Sequence, residues 1–191
     1  MTGLFVMTII TLVFASCTSN YIPKPKGFNR IDLPEPEFVS LPDSFPYNFQ
    51  YSVHARLLKD SSWISEPYWV DIYYPKMGAN IQVTYKPING QDQLRQEYQD
   101  DSYKLTTKHQ VKAYSIEEIN VLLPNGDIAV VNELEGQVPS QFQFYVTDSV
   151  HHFLRGALYF NTSTQNDSLA PVIEYMKQDI MHLLNSLEWR N

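Results

Sequence analysis

The sequence predicts an α+β fold: a mainly antiparallel β-sheet flanked by helices, in a single domain. Three observations predict it. Short runs of alternating apolar and polar residues recur along the chain, joined by tight, turn-bearing links that bring antiparallel neighbours together. Residues 142–160 hold two aromatic and β-branched runs around a polar Asp148-Ser149 corner, the pattern of a β-hairpin. A long amphipathic segment then closes the chain.

The elements follow in order. Tyr47–Val53 alternates and reads as one half-buried strand, Trp69–Pro75 as a second stopped by its proline, and Ala79–Tyr85 as a third with Ile81, Val83 and Tyr85 on one face. The short Pro75–Gly78 link makes the last two an antiparallel pair. Residues 91–108 contain no Gly or Pro, and Leu94, Tyr98 and Leu105 form a weak one-sided stripe, predicting a solvent-flanked helix. That helix is long enough to be a crossover. Ile116–Leu123 and Ile128–Leu134 flank Pro124-Asn125-Gly126-Asp127, a hairpin signal. Finally, Leu169, Val172, Ile173, Met176, Ile180, Leu183, Leu184 and Leu187 keep one apolar stripe over five turns, so this helix must lie on an apolar sheet face. An antiparallel sheet between helices resembles the PsbP-like sandwich in outline, a likeness of fold that carries no function.

With 191 residues, 43% hydrophobic and 14% aromatic, the chain has room for one ordinary domain with its own core. The formal charge of −7 comes from 14 basic and 21 acidic residues scattered without a basic cluster, which argues against nucleic acid as a partner.

The N-terminus differs in kind. Leu4–Phe14 is an apolar run too short to span a bilayer, followed by Ala15, Ser16 and the sole cysteine, Cys17. A hydrophobic region ending in small residues and Cys resembles a bacterial lipoprotein signal, although Phe14 stands where Leu is usual and no Lys or Arg precedes the run. On this reading residues 1–16 are the signal peptide, 17–46 a lipidated, proline-rich tether and 47–191 the domain. The anchor is Cys17: one acyl chain holds marginally and several hold firmly. Half of the twelve prolines fall between Tyr21 and Pro46, which excludes helix there and favours extended geometry. The same stretch carries Phe28, Ile31, Phe38, Leu41 and Phe45, too apolar for a pure spacer, so part of it is expected to pack on the domain or on a partner.

The residues offer little chemistry. His151 and His152 point to opposite faces of a strand, no ligand spacing suggests a metal, and no cofactor motif appears. Asp148, Ser149 and His151 lie within one turn and cannot take up the mutual geometry of a hydrolytic triad. Asp100-Asp101 and Glu117-Glu118 are sequence neighbours that diverge on either kind of element, so neither makes a dyad by itself. Arg155 sits inside an otherwise apolar strand. It reads either as an outward charge paired with a carboxylate, or as a groove guanidinium for an anionic ligand.

Several stretches together resemble one family: Tyr21–Pro34, Trp69–Pro75, Thr107–Ala113, Phe144–Ser149, Arg155–Asn161 and Asp167–Ile173, with the helix ending near Ser186-Leu187-Glu188-Trp189. They are similar, in order, to the gliding-motility lipoproteins of the GldD family. The resemblance implies a cell-envelope lipoprotein of the Bacteroidota, required for gliding and tied to type IX protein secretion, with no catalytic residues to carry over. Thr18-Ser19-Asn20 lacks the acidic residues usual after the Cys of surface-exposed lipoproteins, so the domain is expected to face the periplasm from the cell membrane or outer membrane. The expected role is non-enzymatic assembly or scaffolding, with protein partners in the gliding and secretion machinery. Phe28 and Arg30 in the tether, and the sheet face with Asp148 and Arg155, are the candidate contacts. The alternative is a ligand-binding or cryptic enzymatic domain using the Asp148–Arg155 neighbourhood.

Overall fold

The computed structural model describes residues 32–161 and 166–190. Seven strands form one wholly antiparallel sheet: β4 (Arg56–Lys59), β5 (Val70–Tyr74), β6 (Ala79–Pro87), β7 (Ala113–Leu122), β8 (Ile128–Gly136), β9 (Phe142–Thr147) and β10 (His152–Phe160). Their spatial order is β4-β5-β6-β10-β9-β8-β7. Helix α1 (Asp92–Thr107) carries the chain from β6 to β7 at the far edge, and the meander β7 to β10 then returns to pair with β6. The crossover therefore spans three intervening strands, and β6 never pairs with the strand that follows it.

The hairpins form as their sequences dictate. Tyr74 pairs with Ala79 across the Pro75–Gly78 turn. At β7–β8, Leu123 N–H donates to Asp127 O (2.9 Å) and Gly126 N–H to Leu123 O (3.0 Å), closing a three-residue loop. Gly126 takes φ +92, the left-handed geometry that Pro124 before the Asn-Gly pair leaves to glycine.

The register separates the faces. Ile72, Ile81, Leu158, Phe144 and Val131 share one face with Val83, Leu154 and Val146, all buried. Helix α2 (Asn166–Asn185) lays Val172, Met176, Ile180, Leu183 and Leu184 on this face, as its stripe requires. Gly156 lies opposite Phe144 in the ladder, and a Cβ there would stand 2.2 Å from the Phe144 ring, so only glycine fits.

Tyr47–Val53 does not form one strand of the main sheet. Phe49 interrupts it, and it contributes to two small ribbons: β3 (Gln50–Ser52) pairs with β1 (Phe38–Ser40), and β2 (Tyr47–Asn48) with β11 (Glu188–Trp189). Tyr47 and Phe49 are fully buried rather than half-buried, because these ribbons cap the α2 side of the core. Part of the proline-rich segment packs on the domain with them: Leu41 is 3% exposed, and Phe38 stacks on His182 of α2 at 3.6 Å. The short edge strand β4 carries no clear alternation in its Arg-Leu-Leu-Lys sequence, and sequence reading misses it.

Candidate functional site: the polar face beneath helix α1

The opposite sheet face is built from the other half of each alternation. Where β6 sends Ala79, Ile81, Val83 and Tyr85 to the core, it sends Asn80, Gln82, Thr84 and Lys86 the other way. Carried across the ladder, this alternation aligns a row of polar groups at right angles to the strands: Asp71, Gln82, Gln143, Asn132 and Glu118, broken only by Ala157. A polar sheet face usually stays wet. Here α1 covers its middle.

The helix is suited to that role. Its buried residues are Ser102 and Thr106, one turn apart and continuing the Leu94–Tyr98 row; Leu105 lies off that row, 39% exposed, contrary to the expected stripe. Ser102 and Thr106 turn their hydroxyls back onto the carbonyls of Tyr98 (2.9 Å) and Ser102 (3.1 Å), which satisfies them within the helix and leaves small side chains at the sheet. Tyr98 meets Phe153 of β10 at 5.6 Å between ring centroids.

Arg155 lies under the C-terminal end of this helix. Its Nη2 donates to Gln143 Oε1 at 2.9 Å, and Thr106 Oγ1 lies 3.2 Å from the same oxygen, its one hydrogen shared between Gln143 and the Ser102 carbonyl. Because a guanidinium only donates, the Gln143 atom facing it must be oxygen. The Gln143 amide nitrogen therefore points elsewhere and, in a residue 2% exposed, has no partner among the described residues; Asn80 Oδ1 is a second such buried atom on this face. No carboxylate among the described residues lies within 4 Å of Arg155. Burial lowers its pKa, opposed by Tyr159, which accepts a hydrogen bond from it. His109, in the turn after α1, has its pKa lowered by burial and then by the Arg155 charge.

Asp148 is spent elsewhere. In the β9–β10 turn its Oδ1 accepts the backbone N–H groups of Val150 (3.0 Å), His151 (2.8 Å) and His152 (2.8 Å). Burial raises its pKa, yet the three amides and the His152 charge outweigh that, and the net shift is downward. Asp148 and Arg155 thus do not form one site, and the face around Arg155 is roofed by α1 rather than open to a partner. Cys17, Phe28 and Arg30 lie outside the described residues. Among the described residues no group of three or more His, Cys, Asp or Glu could hold a metal ion, and no helix is long and apolar enough to cross a membrane.

Beside the Arg155 cluster, toward the β7 edge, a cleft of about 330 Å³ opens between α1 and the sheet. Gln99, Asp100 and Tyr103 line it from the helix, and Glu118, Asn132 and Tyr145 from β7, β8 and β9. Sequence reading passed these residues over, because Asp100 and Glu118 were weighed only against their immediate sequence neighbours. The signal that could have found them is strand register, which puts Glu118 opposite Asn132 and Asn132 opposite Gln143.

The model of one family, described as "Gliding motility lipoprotein GldD", matches residues 18–189. The chain belongs to that family. It is a gliding motility lipoprotein, and membrane association follows from that membership. No curated protein matches the sequence. Among solved structures, the solution structure of cyanobacterial PsbP (CyanoP) from Synechocystis sp. PCC 6803 is similar, with a TM-score of 0.50 and 11% identity over 84% of this chain and 97% of that one. At that identity the likeness is one of fold alone, and it bears out the expected PsbP-like α+β sandwich.

Proposed function

We propose that this gliding motility lipoprotein is a non-enzymatic assembly component of the machinery for gliding and type IX secretion. It is held to the membrane by acyl chains on Cys17 and presents its domain to the periplasm. The observation that carries the reading is an apolar surface at the β4 edge. Trp63 is 96% exposed, with Leu58, Ile64 and Tyr68 also turned to solvent, beside a groove of about 240 Å³ lined by Phe45, Leu57 and Trp69. Large apolar side chains gathered at one edge are costly to leave in water and mark a surface for protein contact.

The test is in-cell crosslinking of the full-length lipidated protein, with mass spectrometry of what is recovered, repeated for a Leu58→Ser/Trp63→Ser variant. Both positions are exposed, so the variant keeps its fold. Gliding and secretion components recovered with the natural protein and lost with the variant support the reading. A protein that comes out alone, or a variant that keeps its partners, sinks it. The alternative, a ligand-binding or enzymatic site at Asp148–Arg155, would need a carboxylate that is already engaged by three amides.

A further inference from the structure

The cleft beside α1 has a chemistry of its own. Asp100 and Glu118 sit at its walls, and no cation among the described residues lies within 4 Å of either. The neighbouring cations of α1 are engaged elsewhere: Arg95 with Asp92 at 3.2 Å and Lys104 with Asp101 at 3.3 Å. Asn132 lines the cleft although only 8% exposed, and its side-chain amide makes no hydrogen bond among the described residues. Facing the cleft with no partner among the described residues, it is free to meet a group that enters there. Tyr103 and Tyr145 add aromatic walls, and the Glu118 charge is felt at Tyr145, whose pKa is raised by burial and then by that carboxylate.

We propose that this cleft is a receptor for a lysine side chain of a protein partner, with the ammonium held between Asp100 and Glu118, accepted by Asn132 Oδ1 and flanked by the two tyrosine rings. An ammonium carries three donors, and the two carboxylates and the amide oxygen supply three acceptors. The volume is at the small end for a ligand pocket, which suits one long side chain rather than a larger molecule. Tyrosine faces attract cations, and a chain of net charge −7 draws basic partners. The proposal rests on the docking reading above and gives it a second contact, on the face opposite α2.

Two measurements decide it, both on the full-length lipoprotein. In detergent micelles, N-acetyl-lysine N-methylamide is titrated while the Asn132 side-chain amide is followed by NMR, with the norleucine analogue as the uncharged control. The expected result is a saturable shift with the lysine probe alone, weakened about fivefold by Glu118→Gln or Asp100→Asn and suppressed at high salt. No shift, or the same shift with norleucine, overturns the site. In cells, a zero-length carbodiimide couples carboxylates to amines in contact, and mass spectrometry locates the bonds. Bonds from Asp100 or Glu118 to a lysine of another protein support the proposal. Partners recovered through the Trp63 surface without such bonds overturn this contact and leave the docking reading standing. Partners recovered through neither surface overturn both.

Discussion

Tyr74 donates its hydroxyl to Asp179 Oδ2 at 2.9 Å across the seam between β5 and α2, joining residues 105 positions apart in a buried setting. Asp179 is a carboxylate on the apolar side of the molecule. Burial raises its pKa, against the lowering effects of the Tyr74 bond and of His182 and His54. The bond fixes where α2 meets the sheet along an otherwise slippery apolar stripe. Tyr74→Phe is expected to cost about 1–3 kcal/mol, because it leaves a buried carboxylate short of a donor. A urea denaturation curve checks this.

The same carboxyl has a pH signature. Its folded pKa lies above its ordinary value of 3.8, so the folded state binds the proton more tightly. The penalty for burying the charge is complete above the folded pKa and is withdrawn as pH falls toward 3.8. Asp179→Asn, which still accepts from Tyr74, should therefore raise Tm at pH 7. Its advantage should shrink as pH approaches 4. An equal advantage at both pH values would show that Asp179 carries no such penalty.

His152 stacks on Trp189 at 4.9 Å, and its Nδ1 meets the Tyr85 hydroxyl at 2.8 Å. Its pKa lies below the ordinary 6.5, first through burial and then through His151, with Asp148 and Asp127 opposing. Here the unfolded state binds the proton more tightly. The stability of the neutral, stacked ring is whole above pH 6.5 and is lost as pH falls from there through the folded pKa. Denaturation midpoints at pH 7.5 and 5.5 should differ more for the natural protein than for His152→Phe.

Gly156→Ala forces a methyl group against the buried Phe144 ring. The expected cost is about 1–3 kcal/mol, the usual penalty for overpacking a filled core. Adding Phe144→Leu to this variant should recover part of the loss. If the double variant simply sums the two single effects, the clash is not the cause.

At the β9–β10 turn, Asp148→Ala removes the acceptor of three amides and should cost about 1–3 kcal/mol. Ser149 next to it takes φ +67, where glycine is at ease, so Ser149→Gly should hold or slightly raise Tm. Thermal melts of the two variants in parallel separate the side-chain role from the backbone role.

Much of the fold was legible because the sheet is made of consecutive hairpins. Local turn chemistry and period-2 alternation specify such pairs without reference to distant residues, as Pro124–Asp127 and Asp148-Ser149 illustrate. Helix α2 was legible for the same reason: its stripe from Leu169 to Leu184 is a local pattern, although the helix stops at Asn185, before Leu187. Tyr47–Val53 misled because its alternation continues across a break at Phe49, and the two halves pair with different segments, one just upstream in β1 and the other at the far end of the chain in β11.

By itself, then, the sequence determined the element types, the antiparallel class, the apolar face that receives α2, and the family. These follow from local periodicity, turn residues and motifs in order. Tertiary structure alone decided that α1 crosses three strands before the chain returns, and so which polar residues it covers. Gln143, Asn132, Arg155, Asp100 and Glu118 come from five separate elements, and no local pattern encodes their meeting. Their juxtaposition is a product of strand order and register, set when β10 closes the sheet against β6.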